Sequence, residues 1–251
     1  MENRQNELPI VLQGLRKSFG DQTVLNEINL TVAQGETLAV LGRSGTGKSV
    51  LLKLIVGLQK PDAGSIRIHG QEIVKLPFEK LNQVRKKIGF LFQDAALYDS
   101  LTIEENVAFP LRRHNRMPLG KQKSRARDLL QQVGLEESKD FRKMPAQISG
   151  GMRKRVGLAR ALVMEPAIML FDEPTAGLDP ITAGDIEELI LRLQKMHQMA
   201  SIVVTHDLHG AKAVSNRLAL IHLGNILVEG TFEELRESKE PFVSKFMRGD
   251  A

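Results

Sequence analysis

The chain has 251 residues, of which 42% are hydrophobic and none is cysteine. This length and apolar content suit one large α/β domain, and the lack of cysteine excludes a disulfide framework, a thiol nucleophile and a thiolate metal site. The net charge of +5 comes from 35 basic and 30 acidic residues that are interspersed, and with one tyrosine and no tryptophan we expect no nucleic-acid partner.

No apolar run of about 18 residues, the length that crosses a bilayer, occurs in the sequence. The best candidate, residues 50–58, is too short and is interrupted by Lys53. The first ten residues are polar and lack the apolar core of a signal peptide. We therefore expect that the chain does not span a membrane alone and, if it acts at one, docks onto other proteins.

The first elements in the chain are predicted to be strands. Residues 10–19 and 23–32 surround a turn at Gly20 and Asp21, which is typical of an antiparallel pair. Residues 36–42 form a short, continuous apolar run of the kind found in buried strands. The N-terminal part is therefore predicted to combine a small antiparallel sheet with a strand of a central sheet.

A phosphate loop follows this buried strand, because residues 42–49 match the pattern G-x-x-x-x-G-K-[ST] and lead into a helical stretch. The glycines let the backbone N–H groups face phosphate oxygens, and the start of the helix adds its positive dipole end. Lys48 is expected to reach the outer phosphates of ATP, and Ser49 to offer its hydroxyl to Mg²⁺. The predicted nucleotide-binding residues here are Gly42, Arg43, Ser44, Gly45, Thr46, Gly47, Lys48, Ser49 and Val50.

The pattern changes between residues 94 and 164, where helical segments at 103–114, 120–135 and 151–163 are separated by proline and glycine. We interpret 94–164 as a mostly helical subdomain. It is predicted to be inserted into an α/β core formed by 1–93 and 165–251, within one domain that spans 1–251.

The core resumes with residues 168–173, an apolar strand that ends in Asp172 and Glu173. Two acids at a strand end are by themselves more often a solvated cap, but open α/β sheets bind ligands at the carboxyl ends of their strands. Beside a phosphate loop, Asp172 is therefore predicted to hold Mg²⁺ and Glu173 to polarise the attacking water.

The remaining segments alternate between helix and strand. Helices are predicted at 181–197 and 209–215, and strands at 201–207, 217–223 and 225–230, before a tail at about 236–251 that is interpreted as a helix or a docking arm. This alternation predicts a P-loop NTPase (RecA-like) α/β core with a mainly parallel sheet, an N-terminal antiparallel β subdomain and the inserted helical subdomain.

Five motifs in this order resemble those of ABC transporter ATPases, and the resemblance covers nearly the whole chain. They are the phosphate loop, Gln93 within FLFQD, ISGGM at 148–152, DEPTAGLDP at 172–180 and VTHD at 204–207. The resemblance implies an ATPase that uses ATP and Mg²⁺ and works as a head-to-tail homodimer.

The resemblance also implies roles for single residues. Ser149, Gly150 and Gly151 would hold the γ-phosphate of the nucleotide that is bound by the phosphate loop of the second copy. His206 would contact the γ-phosphate. Gln93 would link Mg²⁺ and the attacking water to the membrane subunits.

Two further residues gain roles from the resemblance. Asp179 would cross the dimer seam, and Phe19 would stack on adenine, although Phe19 could instead be a core residue. The other histidines are interpreted as packed or surface side chains: His69, His114, His197, His209 and His222.

The signature ISGGM departs from the family pattern, because Met152 stands where glutamine is usual and cannot donate a hydrogen bond. Closure on ATP should persist, since Ser149 and the glycine backbone hold the phosphate. The chain is similar in several segments to the ATPases of Mla/Mce-type transporters: SGGM followed by RKR and LARA, and the stretches 105–114 and 241–249. These transporters move phospholipid between the two membranes of double-membraned bacteria.

This resemblance implies a location on the cytoplasmic face of the inner membrane, bound to permease subunits. A lipid-binding Mce-domain protein and a small accessory subunit are possible further partners. Two alternatives stay open: an ABC importer ATPase for another solute, and a soluble ABC ATPase that acts on ribosomes or DNA. A P-loop kinase or GTPase is disfavoured, because the sequence has no N-K-x-D guanine motif.

Overall fold

The computed structural model describes residues 8–114 and 117–249. The portions of the predicted core, helical subdomain and tail that fall at 1–7, 115–116 and 250–251 lie outside these residues. Within the described ranges, no helix is both long enough and apolar enough to cross a membrane.

Strands occupy much of the described chain and form two sheets. Their bounds are β1 Ile10–Phe19, β2 Gln22–Val32, β3 Thr37–Leu41, β4 Ala63–Ile68, β5 Gln71–Glu72, β6 Ile88–Leu91, β7 Ile168–Asp172, β8 Ala200–Thr205, β9 Arg217–His222 and β10 Asn225–Gly230.

The helices lie between and around these strands. Their bounds are α1 Lys48–Ile55, α2 Phe78–Arg85, α3 Ile103–His114, α4 Leu119–Gln132, α5 Gly150–Leu162, α6 Pro180–His197, α7 Leu208–Val214, α8 Phe232–Arg236 and α9 Pro241–Met247. A side-chain acceptor satisfies a free backbone N–H at the start of several of them and so fixes where they begin. The capping residues are Ser149, Asp179, Asp207, Thr231 and Glu240.

The larger sheet has the strand order β10-β9-β3-β8-β7-β6. Its strands are parallel except for β10, which pairs antiparallel with β9. The smaller sheet has the order β2-β1-β4-β5 and is antiparallel throughout. This is the predicted α/β architecture, with a mainly parallel sheet and an N-terminal antiparallel part.

The strands β3, β7 and β8 are buried on both faces, which explains their continuous apolar sequences. In β7, Ile168 and Leu170 join the core that contains α1 and the antiparallel sheet. Met169 and Phe171 face the other way and join the core that contains α3 to α6. The six-stranded sheet is therefore held between two apolar layers, and its strand ends are left free to carry polar residues.

Helix α2 and strand β6, which lie between the antiparallel sheet and the first predicted helix of the insertion, were not predicted. The strand predicted at 201–207 is shorter than expected: β8 ends at Thr205, and Asp207 caps α7. The predicted tail forms α9, whose Val243 and Phe246 pack on a third apolar cluster with Leu220. The division into a core and a helical subdomain stays a prediction, although α3, α4 and α5 do pack against one another.

Candidate nucleotide-binding site

The phosphate loop leaves the end of β3 and enters α1 at Lys48. A Cβ atom at Gly42 would lie 2.8 Å from the backbone oxygen of Ile221, so a larger residue does not fit there. Gly47 has φ +93°, and a Cβ atom there would lie 2.7 Å from Val24 Cγ1. Packing and backbone conformation thus both require glycine at these two motif positions.

Lys48 closes the loop on itself. Its Nζ donates to the backbone oxygens of Gly42 at 2.7 Å and Arg43 at 3.1 Å, and it lies 3.8 Å from Glu173 Oε1. The side chain is 5% exposed, and burial lowers the pKa of Lys48 while the charges of Glu173 and Asp172 oppose that change. The ammonium is therefore held at the mouth of the loop, where an incoming phosphate would meet it.

Ser49 and Asp172 form a pair of oxygen ligands beside this lysine. Ser49 Oγ donates to Asp172 Oδ1 at 2.8 Å, and burial raises the pKa of Asp172. Among the described residues, no three His, Asp or Glu side chains converge to hold a metal ion by themselves. A hydroxyl and a carboxylate nevertheless fit Mg²⁺, which takes oxygen ligands and commonly completes its shell with phosphate oxygens and water.

Glu173 is the most constrained side chain of the site. Its backbone has φ +45°, an uncommon conformation for a residue other than glycine, and its N–H donates to Val204 O at 2.9 Å. Its carboxylate accepts from Thr205 Oγ1 at 3.0 Å, and His206 Nδ1 lies 3.0 Å from both carboxylate oxygens. The orientation of the carboxylate is therefore fixed by two neighbouring side chains in the absence of substrate.

The register of the sheet explains why these residues meet. Asp172 of β7 pairs with Val204 of β8, and Leu41 of β3 pairs with Thr205 of β8. The next residue on each strand consequently emerges at the same edge of the sheet. Gln93 reaches this edge from the neighbouring strand β6.

Most of the predicted nucleotide-binding residues line one cleft of about 580 Å³. Gly42, Arg43, Thr46 and Asp172 do not line it, and Asp172 adjoins it through its hydrogen bond with Ser49. Phe19 lies at this cleft and is 47% exposed, so the alternative that it is a core residue is wrong. None of the five other histidines lines the cleft. The cleft residues are Phe19, Gln22, Val24, Ser44, Gly45, Gly47, Lys48, Ser49, Val50, Gln93, Glu173 and His206.

The signature residues and Asp179 do not line this cleft. Ser149 caps α5 by accepting from Met152 N at 3.2 Å, and Asp179 caps α6 by accepting from Thr182 N at 3.1 Å. A Cβ atom at Gly151 would lie 2.5 Å from Thr182 Cγ2, so the two helix starts are in close contact. They form a second polar patch, separate from the cleft, and Met152 packs behind it on the apolar core.

Two residues of this region were missed by the sequence analysis. Thr205 orients Glu173, and Lys154 donates from α5 to the backbone oxygens of Gln93 and Glu173. The sequence held one signal for Lys154, since it falls on the face of α5 that carries Gly151 and Leu158. Its basic neighbours in RKR concealed that signal.

A second cleft of about 460 Å³ lies between the β6 region and the helices α3 and α5. Its aromatic lining includes a stacked pair, Phe90 and Phe92 at 4.2 Å, and a tilted pair, Tyr98 and Phe109 at 4.6 Å. Three cationic side chains also line it, Arg85, Lys86 and Arg160, together with His114, whose pKa is lowered by burial and by the charges of Lys86 and Arg113. This cleft begins one residue before Gln93 and so adjoins the nucleotide site.

Comparison with protein families gives one match over the region that contains the phosphate loop, Gln93 and Glu173. The model described as ABC transporter matches residues 25–176. Two solved structures share the fold: a dimeric post-hydrolysis state of the ATP-binding cassette MJ0796 bound to ADP and Pi, and cbiO1 from Clostridium perfringens, part of the ABC transporter complex cbiONQ. The MJ0796 structure has a TM-score of 0.81 and 34% sequence identity, and the match covers 88% of this chain and 98% of that one. The cbiO1 structure has a TM-score of 0.83 and 29% sequence identity, and the match covers 96% of each chain.

Three curated relatives differ in the transported substrate that their names give. The probable ribonucleotide transport ATP-binding protein mkl of Mycobacterium tuberculosis is 41% identical over 96% of this chain. The intermembrane phospholipid transport system ATP-binding protein MlaF of Haemophilus influenzae is 37% identical over 98%, and methionine import ATP-binding protein MetN 2 of Enterococcus faecalis is 38% identical over 94%. The chain spans 66%, 92% and 69% of the lengths of these three relatives, respectively.

Proposed function

This chain belongs to the ABC transporter family of ATPases, and from this premise we propose that it powers transport through separate membrane-spanning subunits as a head-to-tail homodimer with Mg²⁺-ATP. The observation that carries the catalytic part is the meeting of Lys48, the Ser49–Asp172 pair and the Glu173–His206 pair at one cleft. Each supplies a different requirement of phosphoryl transfer: charge, metal ligands and a polarised water.

Hydrolysis transfers the γ-phosphoryl group from ATP to water. Lys48 binds the outer phosphate oxygens, and Glu173 accepts a hydrogen bond from the attacking water and draws its proton as the O–P bond forms. The bond to the β–γ bridging oxygen breaks, and ADP leaves with that electron pair. The proton ends on phosphate, so that Glu173 is restored.

The residues around Glu173 keep it ready for this step. Thr205 and His206 hold its two carboxylate oxygens, and His206, which is half exposed, can also turn toward the γ-phosphate. When bound, Mg²⁺ would offset phosphate charge at Ser49 and Asp172, with Gln93 as a further ligand. Phe19 supplies an exposed aromatic face at the cleft for adenine.

The polar patch at the starts of α5 and α6 is assigned to the nucleotide of the second copy. Ser149 and the glycines that follow it do not line the cleft of their own chain. A γ-phosphate placed at the start of α5 would meet backbone donors and the positive dipole end. Asp179 lies beside it and would face the partner across the seam. The dimeric arrangement named for MJ0796 supports this assignment.

The second cleft, lined by Phe90, Phe92, Tyr98 and Phe109 and from here on called the aromatic cleft, is assigned to binding of the permease subunits. Its stacked and tilted rings offer an apolar floor. The positive charges of Arg85, Lys86 and Arg160 favour an acidic or carbonyl-rich segment, such as the C-terminal end of a permease helix. Docking there would place the ATPase on the cytoplasmic face of the inner membrane. A movement of Gln93 would then be transmitted to the membrane subunits.

Phospholipid trafficking between the inner and outer membranes is the proposed transport process. The relative named for phospholipid transport is 37% identical and is covered over 92% of its length, more than the mycobacterial and methionine-import relatives are. An Mce-domain lipid-binding protein and a small accessory subunit are the partners proposed with it. Import of another solute is the second candidate, favoured by the 38% identity to the methionine importer.

The variant Glu173→Gln tests the catalytic proposal. It should keep ATP binding, accumulate an ATP-bound dimer and lower kcat by about 10² to 10⁴, because the water loses its proton acceptor. Glu165→Gln is the matched control, since Glu165 is an exposed acid outside the cleft. Turnover by Glu173→Gln at the wild-type rate would remove Glu173 as the base.

The transport process is tested by purifying the tagged chain from native membranes in mild detergent. Co-purification of a permease with an Mce-domain protein and bound phospholipid is expected. A co-purified binding protein for a polar solute would instead favour the second candidate.

A further inference from the structure

Lys154 is a buried lysine to which none of the roles above has been assigned. It is 4% exposed and is the one charged residue among the buried positions of α5. Its ammonium donates to the backbone oxygen of Gln93 and, at 3.0 Å, to that of Glu173. One side chain of the signature helix thus holds two loops of the nucleotide cleft.

Keeping a charge in this position is unfavourable unless it is compensated, because burial penalises an ammonium. Burial lowers the pKa of Lys154, and the charges of Asp94, Asp172 and Glu173 act in the opposite direction. Other buried residues of α5 are apolar or glycine, such as Val156 and Leu158, so packing alone would favour an apolar side chain. The free-energy cost of burying this charge suggests that its hydrogen bonds to the two carbonyl groups serve a function.

The contact to Glu173 acts on an unusual backbone. Glu173 has φ +45°, a conformation that persists only where the surrounding structure enforces it. Its N–H is fixed by Val204 O, and its carbonyl by Lys154. With both peptide groups held, the Cα–Cβ direction is set, and the carboxylate is delivered to Thr205 and His206.

We propose that Lys154 is a positioning residue for hydrolysis, which ties α5 to the carbonyls of Gln93 and Glu173 and so fixes the direction of the Glu173 carboxylate. The inference rests on the proposed function, because it assumes that Glu173 acts on the attacking water. Since Ser149 caps α5 and is assigned to the nucleotide of the second copy, Lys154 also connects the γ-phosphate contact of one site to the base of the other site.

The test is steady-state ATP hydrolysis by the full chain in complex with its membrane subunits, for Lys154→Met and Lys154→Arg. Lys154→Met keeps the length of the side chain and removes the donors, so kcat should fall about 10- to 100-fold, as expected for a misplaced catalytic group. KM should stay within about threefold, because the phosphate loop is untouched. Lys154→Arg keeps charge and donors and should recover most of kcat.

Arg155→Met is the matched control. Arg155 is the next residue of α5 and also donates to a backbone oxygen, that of Val133 at 2.9 Å, but it lies away from the cleft. Its loss should lower thermal stability and leave kcat within about twofold.

Three results would overturn the inference: wild-type kcat in Lys154→Met, a loss confined to KM, or a kcat for Lys154→Arg no higher than that of Lys154→Met. If Lys154→Met does not fold, Lys154→Gln replaces it, and kcat must rank wild type, then Arg, then Gln at similar KM. Failure of the proposed function is distinguishable, since the wild-type complex would then hydrolyse no ATP or Glu173→Gln would remain active.

Discussion

Gly151 shows how one missing side chain shapes the signature patch. A Cβ atom there would lie 2.5 Å from Thr182 Cγ2, a distance that real contacts do not reach, and Thr182 also donates its backbone N–H to Asp179. The glycine therefore lets the start of α5 approach the start of α6. Both groups assigned to the second copy depend on this approach.

Gly151→Ala should push the two helix starts apart and weaken ATP-dependent dimerisation, while nucleotide binding to the phosphate loop of the single chain is retained. Thr182→Ser removes the methyl group that clashes, so Gly151→Ala with Thr182→Ser should recover much of the dimer. The fraction of dimer is measured by analytical ultracentrifugation of the single and double variants, each combined with Glu173→Gln, in the presence of ATP. No recovery in the double variant would mean that the alanine acts through the backbone and not through this contact.

The sequence identified the residues that are proposed to contact the nucleotide, but it did not identify the residues that orient them. Lys48, Ser49 and Glu173 lie in motifs whose spacing and flanking strand specify their chemistry. Lys154 and Thr205 act through backbone oxygens or a neighbouring carboxylate, and those partners are 19 to 61 residues distant in the chain. Such pairings become visible only when the strands are placed side by side.

The start of helix α3 is stabilised by hydrogen bonds between Thr102 and Glu105, and this stabilisation depends on pH. Thr102 N and Oγ1 donate to Glu105 Oε2 at 2.9 and 3.0 Å, and Glu105 N donates in return to Thr102 Oγ1 at 3.3 Å. This reciprocal pair satisfies free donors at the helix start. The hydrogen bonds from Thr102 hold the pKa of Glu105 below its ordinary value of 4.5.

Glu105→Ala should lower the free energy of unfolding at neutral pH by roughly 0.3 to 1 kcal/mol, the usual contribution of an acid at a helix start. Because the unfolded chain binds the proton more tightly, this contribution is complete above pH 4.5 and is lost as the pH falls through the lower native pKa. Urea unfolding across the acid range measures it. Glu105→Gln is the control, since its amide accepts the same bonds without titrating, and a constant difference between wild type and Glu105→Gln would contradict the assignment.

Elements were predictable where their apolar pattern was long or followed a motif. The helices α3, α5 and α6 and the strands β3 and β7 were predicted within a few residues of their bounds. Helix α2 was missed because Val84 is the one buried residue in its eight and no apolar stripe marks it. Strand β6 has only four residues, too few to separate a strand from a short turn of helix.

A mixing experiment tests the assembly of the whole molecule. Lys48→Ala should not bind ATP at its loop, and Ser149→Glu should repel the γ-phosphate of its partner, so each variant alone should be inactive. A heterodimer of the two has one site with an intact loop and an intact signature. Equal mixtures should therefore regain up to about a quarter of the wild-type rate, since about half of the dimers are mixed and each has one of its two sites complete. An inactive mixture with demonstrated heterodimers would contradict the head-to-tail arrangement.

At the level of the chain, the alternation of strand and helix was enough to predict a mainly parallel sheet with an antiparallel part. The order β6-β7-β8-β3 was not predictable, because side-chain patterns do not specify which buried strands are neighbours. The aromatic cleft was missed for a related reason. Phe90 lies in β6, Tyr98 in the loop that follows and Phe109 in α3, and they line one cleft only in the folded chain.

The four strands β6, β7, β8 and β3 are consecutive neighbours, so their ends stand about 4.8 Å apart along one edge. Their spacing is imposed by backbone pairing and is independent of the side chains they carry. The edge can tilt as a unit but cannot stretch between one strand and the next. In the proposed assembly, we therefore expect a force from nucleotide contacts to rotate these four strands together as one unit.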